Sequence, residues 1–206
     1  EGWETSLPPY VKLAYLPFLG GVRLRLTGHD DGQPHLLARM EALLPGLRRL
    51  LGTHLFAEGE IKLEEVVGQL LLERGLTVGT AESCTGGLVA HRLTSIPGAS
   101  RYYLGSLLTY SNELKIAELG VQAETLAEGL RRRLGVDVAL ATSGIAGPDG
   151  GTPAKPVGTI CVAYADAHRT VTKQISFDRG RQLNLEFTAT TALNLLRLSL
   201  PGGVKE

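Results

Sequence analysis

The residues best suited to chemistry stand together in Ala81-Glu82-Ser83-Cys84-Thr85-Gly86-Gly87. The apolar run Leu76-Thr77-Val78-Gly79-Thr80 precedes them, and the amphipathic stretch from Leu88 to Leu93 follows. This pattern predicts a short buried strand that turns sharply into a helix. Such a corner suits two tasks. The first N–H groups of a helix are unpaired and lie at its partly positive end, so they hold an anion or a developing oxyanion. A serine at the corner presents a nucleophilic hydroxyl. Thr85, Gly86 and Gly87 let a ligand approach the backbone closely. The plainer reading of Ser83 or Thr85 is a helix N-cap, a role that serine and threonine commonly fill.

A serine nucleophile needs a base. The five histidines, His29, His35, His54, His91 and His168, are scattered, and the chain has no CxxC, HxxxH or HExxH pattern. Nothing in the spacing points to a metal or a cofactor. A Cys84–His91 pair on one helix would be ~10 Å apart, beyond hydrogen-bond reach, so Cys84 reads as a small buried residue. The corner is not a GxSxG elbow. Lys115 remains, in Thr109-Tyr110-Ser111-Asn112-Glu113-Leu114-Lys115-Ile116. A lysine desolvated among apolar neighbours has a lowered pKa and can act as a base. Tyr110, at the end of a predicted strand, could donate a hydrogen bond. From spacing alone, an ordinary surface lysine is the better reading of Lys115.

The elements that must position these residues follow from periodicity. Val22 to Thr27 alternates apolar with polar, which predicts a half-buried strand, and Tyr10 to Leu16 predicts a second. Leu36 to Leu51 has helical spacing, and His54 to Phe56 is a third short strand candidate. Residues 1–60 therefore read as a β-β-α-β unit after an extended lead-in and a turn at Pro17 to Gly21. Gly59 separates it from residues 61–206. There the pattern predicts helices at 61–74, 88–93, 112–119, 124–134 and 182–198. Strands are predicted at 76–80, 103–110, 136–142, 157–165 and 169–177, the last two as a hairpin. Apart from Asp137, Val136 to Thr142 is small and apolar, as in a strand buried on both faces. It runs into Ser143-Gly144-Ile145-Ala146-Gly147-Pro148-Asp149-Gly150-Gly151, and α/β sheets bind ligands at such carboxyl ends. The fold class expected is α/β, a three-layer open mixed sheet with helices on both faces, preceded by a small KH-like α+β domain.

Composition limits the function further. The 206 residues are 43% apolar, enough for a core, with 21 basic against 21 acidic residues and zero formal net charge. That balance argues against a nucleic-acid-coating protein. Arg23 and Arg25 lack interleaved aromatics, and Leu19-Gly20-Gly21-Val22 is not a GXXG loop, so an RNA-contacting role for residues 1–60 is the weaker reading and a structural spacer the stronger. Arg131-Arg132-Arg133 reads as a solvated face. Two cysteines, Cys84 and Cys161, fit a reducing cytoplasm. No run approaches the ~20 apolar residues of a membrane span, and no signal segment opens the chain. The chain starts at Glu1 and its only methionine is Met40, which reads as a piece of a longer polypeptide.

Three blocks, Ala81 to Gly87, Leu108 to Lys115 and Gly144 to Gly151, together resemble the carboxy-terminal domain of the CinA family, in order and over most of residues 61–206. Residues 1–60 resemble the family's KH-like linker domain. The family's amino-terminal molybdopterin-binding-like domain is absent here. The resemblance implies a nicotinamide-nucleotide amidase that converts nicotinamide mononucleotide to nicotinic acid mononucleotide and ammonia by a metal-free serine–lysine mechanism. It implies Ser83 as nucleophile, Lys115 as general base and Tyr110 as an aid to proton transfer or orientation. The first N–H groups of the helix after the corner would hold the oxyanion. Thr85, Gly86, Gly87, Ser143, Gly144 and Gly147 would line the substrate. It also implies a homodimer. The alternative is a non-catalytic nucleotide-binding or regulatory domain whose corner only cradles phosphate.

The match has departures. The family places an arginine after Phe-x-Gly-Asp, and here the stretch is Phe177-Asp178-Arg179-Gly180-Arg181. Spacing favours Arg181 for the substrate phosphate, with Arg179 as the other candidate and a surface arginine at the helix start as the plainer reading. Ser143 stands where the family has threonine. A stretch with a His-Gly-Ala-Val-Ser-like turn, which members carry between positions 126 and 131, is missing.

Overall fold

The computed structural model describes residues 2–30, 32–111 and 123–200. They form two compact units, one within residues 2–56 and one within residues 57–200.

The first unit is built on an antiparallel hairpin. Strand β1 (Val11–Phe18) pairs with β2 (Gly21–Gly28), with Leu16 opposite Arg23. Leu24 and Leu26 are half-buried, while Arg23 and Arg25 face solvent, the alternation expected of a half-covered strand. Around the hairpin lie α1 (Gly2–Thr5), α2 (Leu36–Glu41) and α3 (Leu44–Leu51). Arg39 stacks over the Tyr10 ring at 4.2 Å.

Four details differ from the sequence pattern. The lead-in contains a helical turn, closed by Ser6 N–H on Trp3 O and Thr5 Oγ1 on Gly2 O. Strand β1 runs through Pro17, which a two-stranded edge tolerates because a proline's missing N–H is needed only inside a sheet. The helix expected over 36–51 is two helices, since Pro45 lacks the N–H that a continuous helix would bond to residue 41. The strand expected at 54–56 is absent. Gly52 turns at φ 49° into a single 3-10 turn (Gly52–His54), and the hairpin has no third partner among the described residues.

The second unit is a five-stranded mixed sheet in the order β4-β3-β5-β6-β7. Strand β3 (Val78–Glu82) is central and parallel to both β4 (Tyr103–Leu108) and β5 (Val138–Gly144). The hairpin of β6 (Thr159–Ala165) and β7 (Thr170–Ser176) continues the sheet antiparallel to β5. Every residue of β3 is buried, as a parallel strand covered on both faces must be.

Helix α6 (Ala123–Leu134) covers one face. Its Leu126, Ala127 and Leu130 pack on Ala81, Ala139, Ala141, Ala163 and Ala165. Alanines on three neighbouring strands leave a shallow surface that brings the helix close. On the other side α4 (Leu63–Glu73), α5 (Leu88–Thr94) and α7 (Arg181–Ser199) pack together. Arg92 ties that layer by reaching Glu64 and Thr190, both at 2.8 Å. The protein is thus α/β, with helices on both faces of a mixed sheet. The helix expected at 112–119 lies outside the described residues.

Candidate functional site

Three strands end side by side. Glu82 closes β3 opposite Leu108 on one side and Thr142 on the other. The ladder continues one step beyond the strands: Thr109 N–H donates to Glu82 O at 3.0 Å and Ser83 N–H to Thr142 O at 3.1 Å. Ser83 therefore sits between Thr109-Tyr110 and Ser143-Gly144, at the carboxyl ends of the parallel strands. The crossover connections of a parallel sheet leave this end open for ligands.

The corner after β3 is organised by Glu82, which is 1% exposed. Its Oε2 accepts the Gly87 N–H at 3.1 Å, the Val89 N–H at 3.0 Å and the Thr85 hydroxyl at 2.8 Å; Oε1 accepts the Ala90 N–H at 2.8 Å. Thr85 Oγ1 also lies 2.6 Å from Thr142 Oγ1. Because Thr85 gives its single proton to Glu82, Thr142 is the donor in that second bond. The Gly86 N–H closes the turn on Ser83 O at 3.1 Å. Gly86 and Gly87 stand at φ 60° and 96°, a region costly for other residues.

This overturns one expectation. The first N–H groups of α5 are not held ready for an oxyanion: a carboxylate of the chain itself already binds those of Gly87, Val89 and Ala90. The Thr85 hydroxyl and the amides of Gly86 and Gly87 are likewise engaged within the corner. Ser83 is buried, and among the described residues the hydrogen bonds that hold it are backbone ones.

The Gly-rich loop leaves β5 at Gly144. A Cβ there would stand 2.5 Å from Ile160 Cα and from Thr159 O, so only glycine fits beside β6. Beyond it, α7 holds the loop. Asn184, 1% exposed, donates to Ala146 O at 2.9 Å and accepts the Arg179 N–H at 3.0 Å. Arg181 donates from Nη1 to Gly147 O at 2.8 Å and from Nη2 to the Tyr110 hydroxyl at 2.9 Å. Tyr110 is 61% exposed, and with its oxygen accepting from Arg181 it keeps its own proton to donate.

The structure thus brings Ser83, Tyr110, Ser143, Gly144, Gly147 and Arg181 to one end of the sheet. Of the two arginines, Arg181 has its side chain there, whereas Arg179 contributes its amide to Asn184. Lys115 lies outside the described residues. Cys84 is buried, and burial pushes the Cys161 thiol above its usual range, so it stays protonated. Among the described residues no three His, Cys, Asp or Glu side chains gather as metal ligands.

A groove at the opposite end of the sheet, lined by Arg131, Arg132, Asp137, Asp166 and His168, has its acids already committed. Asp137 accepts both the N–H and the hydroxyl of Thr77. Asp166 accepts the amides of His168 and Arg169 and the Tyr164 hydroxyl.

Two residues of this site escaped the sequence reading. Glu82 had a signal: it is the one charge closing an uncharged buried strand. Asn184 had a fainter one, a polar residue at i, i+4 to Thr188 on the stripe that buries Ala192, Leu193 and Leu196.

Residues 60–200 match the family described as the CinA C-terminal domain. A "CinA-like protein" of Cytophaga hutchinsonii is 43% identical over 212 aligned residues, which cover 96% of this chain and 51% of the relative. One from Salinibacter ruber is 43% identical over 204 residues, 92% of this chain and 49% of the relative. The chain thus spans about half the length of these curated relatives.

Among solved structures, the competence damage-inducible protein A of Klebsiella pneumoniae superposes with a TM-score of 0.65 at 30% identity, over 68% of this chain and 96% of that one. The competence/damage inducible protein CihA of Agrobacterium tumefaciens gives 0.60 at 33% identity, over 68% and 97%. The family match covers the sheet unit that carries Ser83, and the chain belongs to the CinA family through that carboxy-terminal domain.

Proposed function

We propose that the sheet unit is a nicotinamide-nucleotide amidase acting through Ser83 and Lys115. The observation that supports it best is the convergence of Ser83, Tyr110 and Arg181 at the carboxyl ends of three adjacent strands, with no histidine drawn on. Ser83 Oγ attacks the carboxamide carbon of nicotinamide mononucleotide, and Lys115 takes the hydroxyl proton. The C–N bond breaks as that proton passes to the leaving nitrogen, which departs as ammonia. Water then cleaves the acyl-enzyme, returning a proton to Ser83 and releasing nicotinic acid mononucleotide. Tyr110 orients the proton transfers, and the backbone of the 144–151 loop borders the substrate. Arg181, already turned toward Tyr110, supplies a guanidinium for the phosphate.

The alternative, a binding domain whose corner cradles phosphate, is weakened by Glu82. Its carboxylate takes the amides such a cradle would use, and its charge repels an anion. The test is ammonia release from nicotinamide mononucleotide with chelator present. Ser83→Ala is expected to fall to background and Lys115→Ala to lose 10²-fold or more, the scale of general base catalysis. Undiminished release by Ser83→Ala would remove the proposed nucleophile. Nucleotide binding without release by the unmodified chain would favour the binding domain.

A further inference from the structure

Glu82 does no work in that mechanism, yet among the described residues it is the most heavily bonded side chain at the site. It is buried, it lies next to Ser83, and it takes four hydrogen bonds from residues three to eight positions further on. The N-cap of α5 is Gly87, which has no side chain to cap with. Glu82 fills that role from before the turn. Negative charge at a helix N-terminus and charge-assisted bonds to backbone N–H groups are both favourable. The result is a closed clamp. One carboxylate joins the end of β3 to the first turn of α5, and Ser83 lies in the segment it spans. Through Thr85 the clamp extends to Thr142, whose carbonyl also holds the Ser83 N–H.

We infer that Glu82 is a positioning residue for Ser83: its carboxylate, with the Thr85 and Thr142 hydroxyls, fixes the corner so that the serine is presented in one place. The inference rests on the reading of Ser83 as nucleophile. It also means that oxyanion and phosphate are recognised by groups other than the α5 amides Glu82 has taken.

Glu82→Gln tests this with little change of shape. The amide replaces one carboxylate oxygen by NH2, so in either orientation at least one backbone N–H faces a donor. The corner then shifts, and a displacement of ~1 Å at a reacting group can cost 10²-fold. The expected result is a fall of roughly 10- to 100-fold in kcat for ammonia release, with KM within about threefold. Labelling of Ser83 by a fluorophosphonate, read by mass spectrometry, should slow in parallel without involving the substrate. Thr85→Val should show the same pattern more weakly, and Thr85→Ser should restore it.

A folded Glu82→Gln with kcat and labelling like the unmodified chain overturns the proposal. So does a rise in KM at unchanged kcat, which would make the corner a substrate contact. If Glu82→Gln does not fold, Thr85→Val decides: slowed labelling supports the clamp and unchanged labelling overturns it. An unmodified chain that neither releases ammonia nor labels at Ser83 removes the nucleophile itself, a different failure from that of the clamp.

Discussion

Two segments border the candidate site, and they are held in opposite ways. The corner from Glu82 to Ala90 is bonded chiefly within itself, with Glu82 reaching residues up to eight positions away and Thr142 a partner from outside. The loop from Gly144 to Gly151 is held from outside. Arg181 and Asn184 reach Gly147 and Ala146 across 34 and 38 residues. A segment closed on itself is set once its own strand and helix form. One held by a distant helix depends on how that helix docks. Damage to α7 should therefore loosen the loop and leave the reactivity of Ser83 nearly unchanged, while damage to Glu82 should do the reverse.

Asn184→Ala offers the sharpest break. It leaves the Ala146 carbonyl and the Arg179 N–H without their buried partner, at a cost of ~2–3 kcal/mol, and the melting temperature should fall by several degrees. If the loop borders the substrate, kcat/KM should fall by about 10²-fold. Fluorophosphonate labelling of Ser83 should stay within a few-fold of normal. Equal loss of labelling would show that the two segments are one unit.

Arg181→Ala should act on the same loop less strongly. It frees Gly147 O and the Tyr110 hydroxyl, and a roughly tenfold loss in kcat/KM is expected with little change in melting temperature. Arg181→Lys keeps the charge but cannot bridge both acceptors with a planar fork, so it should recover only part of the activity. Full recovery would mean that charge alone matters at this position.

The smallest effect is expected away from both segments, where Asp137 ties the starts of β3 and β5. Hydrogen bonds from the Thr77 hydroxyl and amide hold the Asp137 carboxyl below its usual range. A folded-state value below the unfolded ~3.9 contributes stability above that pH, and the contribution is lost as pH falls through the folded value. Asp137→Asn should thus melt lower near neutral pH, by less than ~1 kcal/mol because the side chain is solvent-exposed. The gap should close as pH drops below about 4. A gap that widens in acid would reverse the sign and exclude this carboxylate as the source.

Most of the sheet unit was legible because its patterns are local. Apart from Asp137, Val136 to Thr142 is small and apolar, and β5 forms there, shifted to Val138–Gly144. The glycines after Ser83 and after Ser143 marked the turns at two strand ends. In the first unit the same reasoning fell short. Leu36 to Leu51 keeps a helical period across Pro45, and periodicity does not register the missing N–H that divides it. His54-Leu55-Phe56 is apolar enough for a strand, but it follows the turn at Gly52 and pairs with no described strand.

Taken alone, the sequence determined which stretches are buried strands, where they end, and which hydroxyls, glycines and arginines stand near those ends. Those properties depend on neighbours within a few residues. Only the tertiary structure decided what the polar groups do. Arg181 meets Tyr110 across 71 residues, and Thr85 meets Thr142 across 57. Glu82 turns into the helix start instead of leaving it to a ligand. A carboxylate buried beside free backbone N–H groups binds them, because leaving either unpaired away from water costs more than any single surface contact returns.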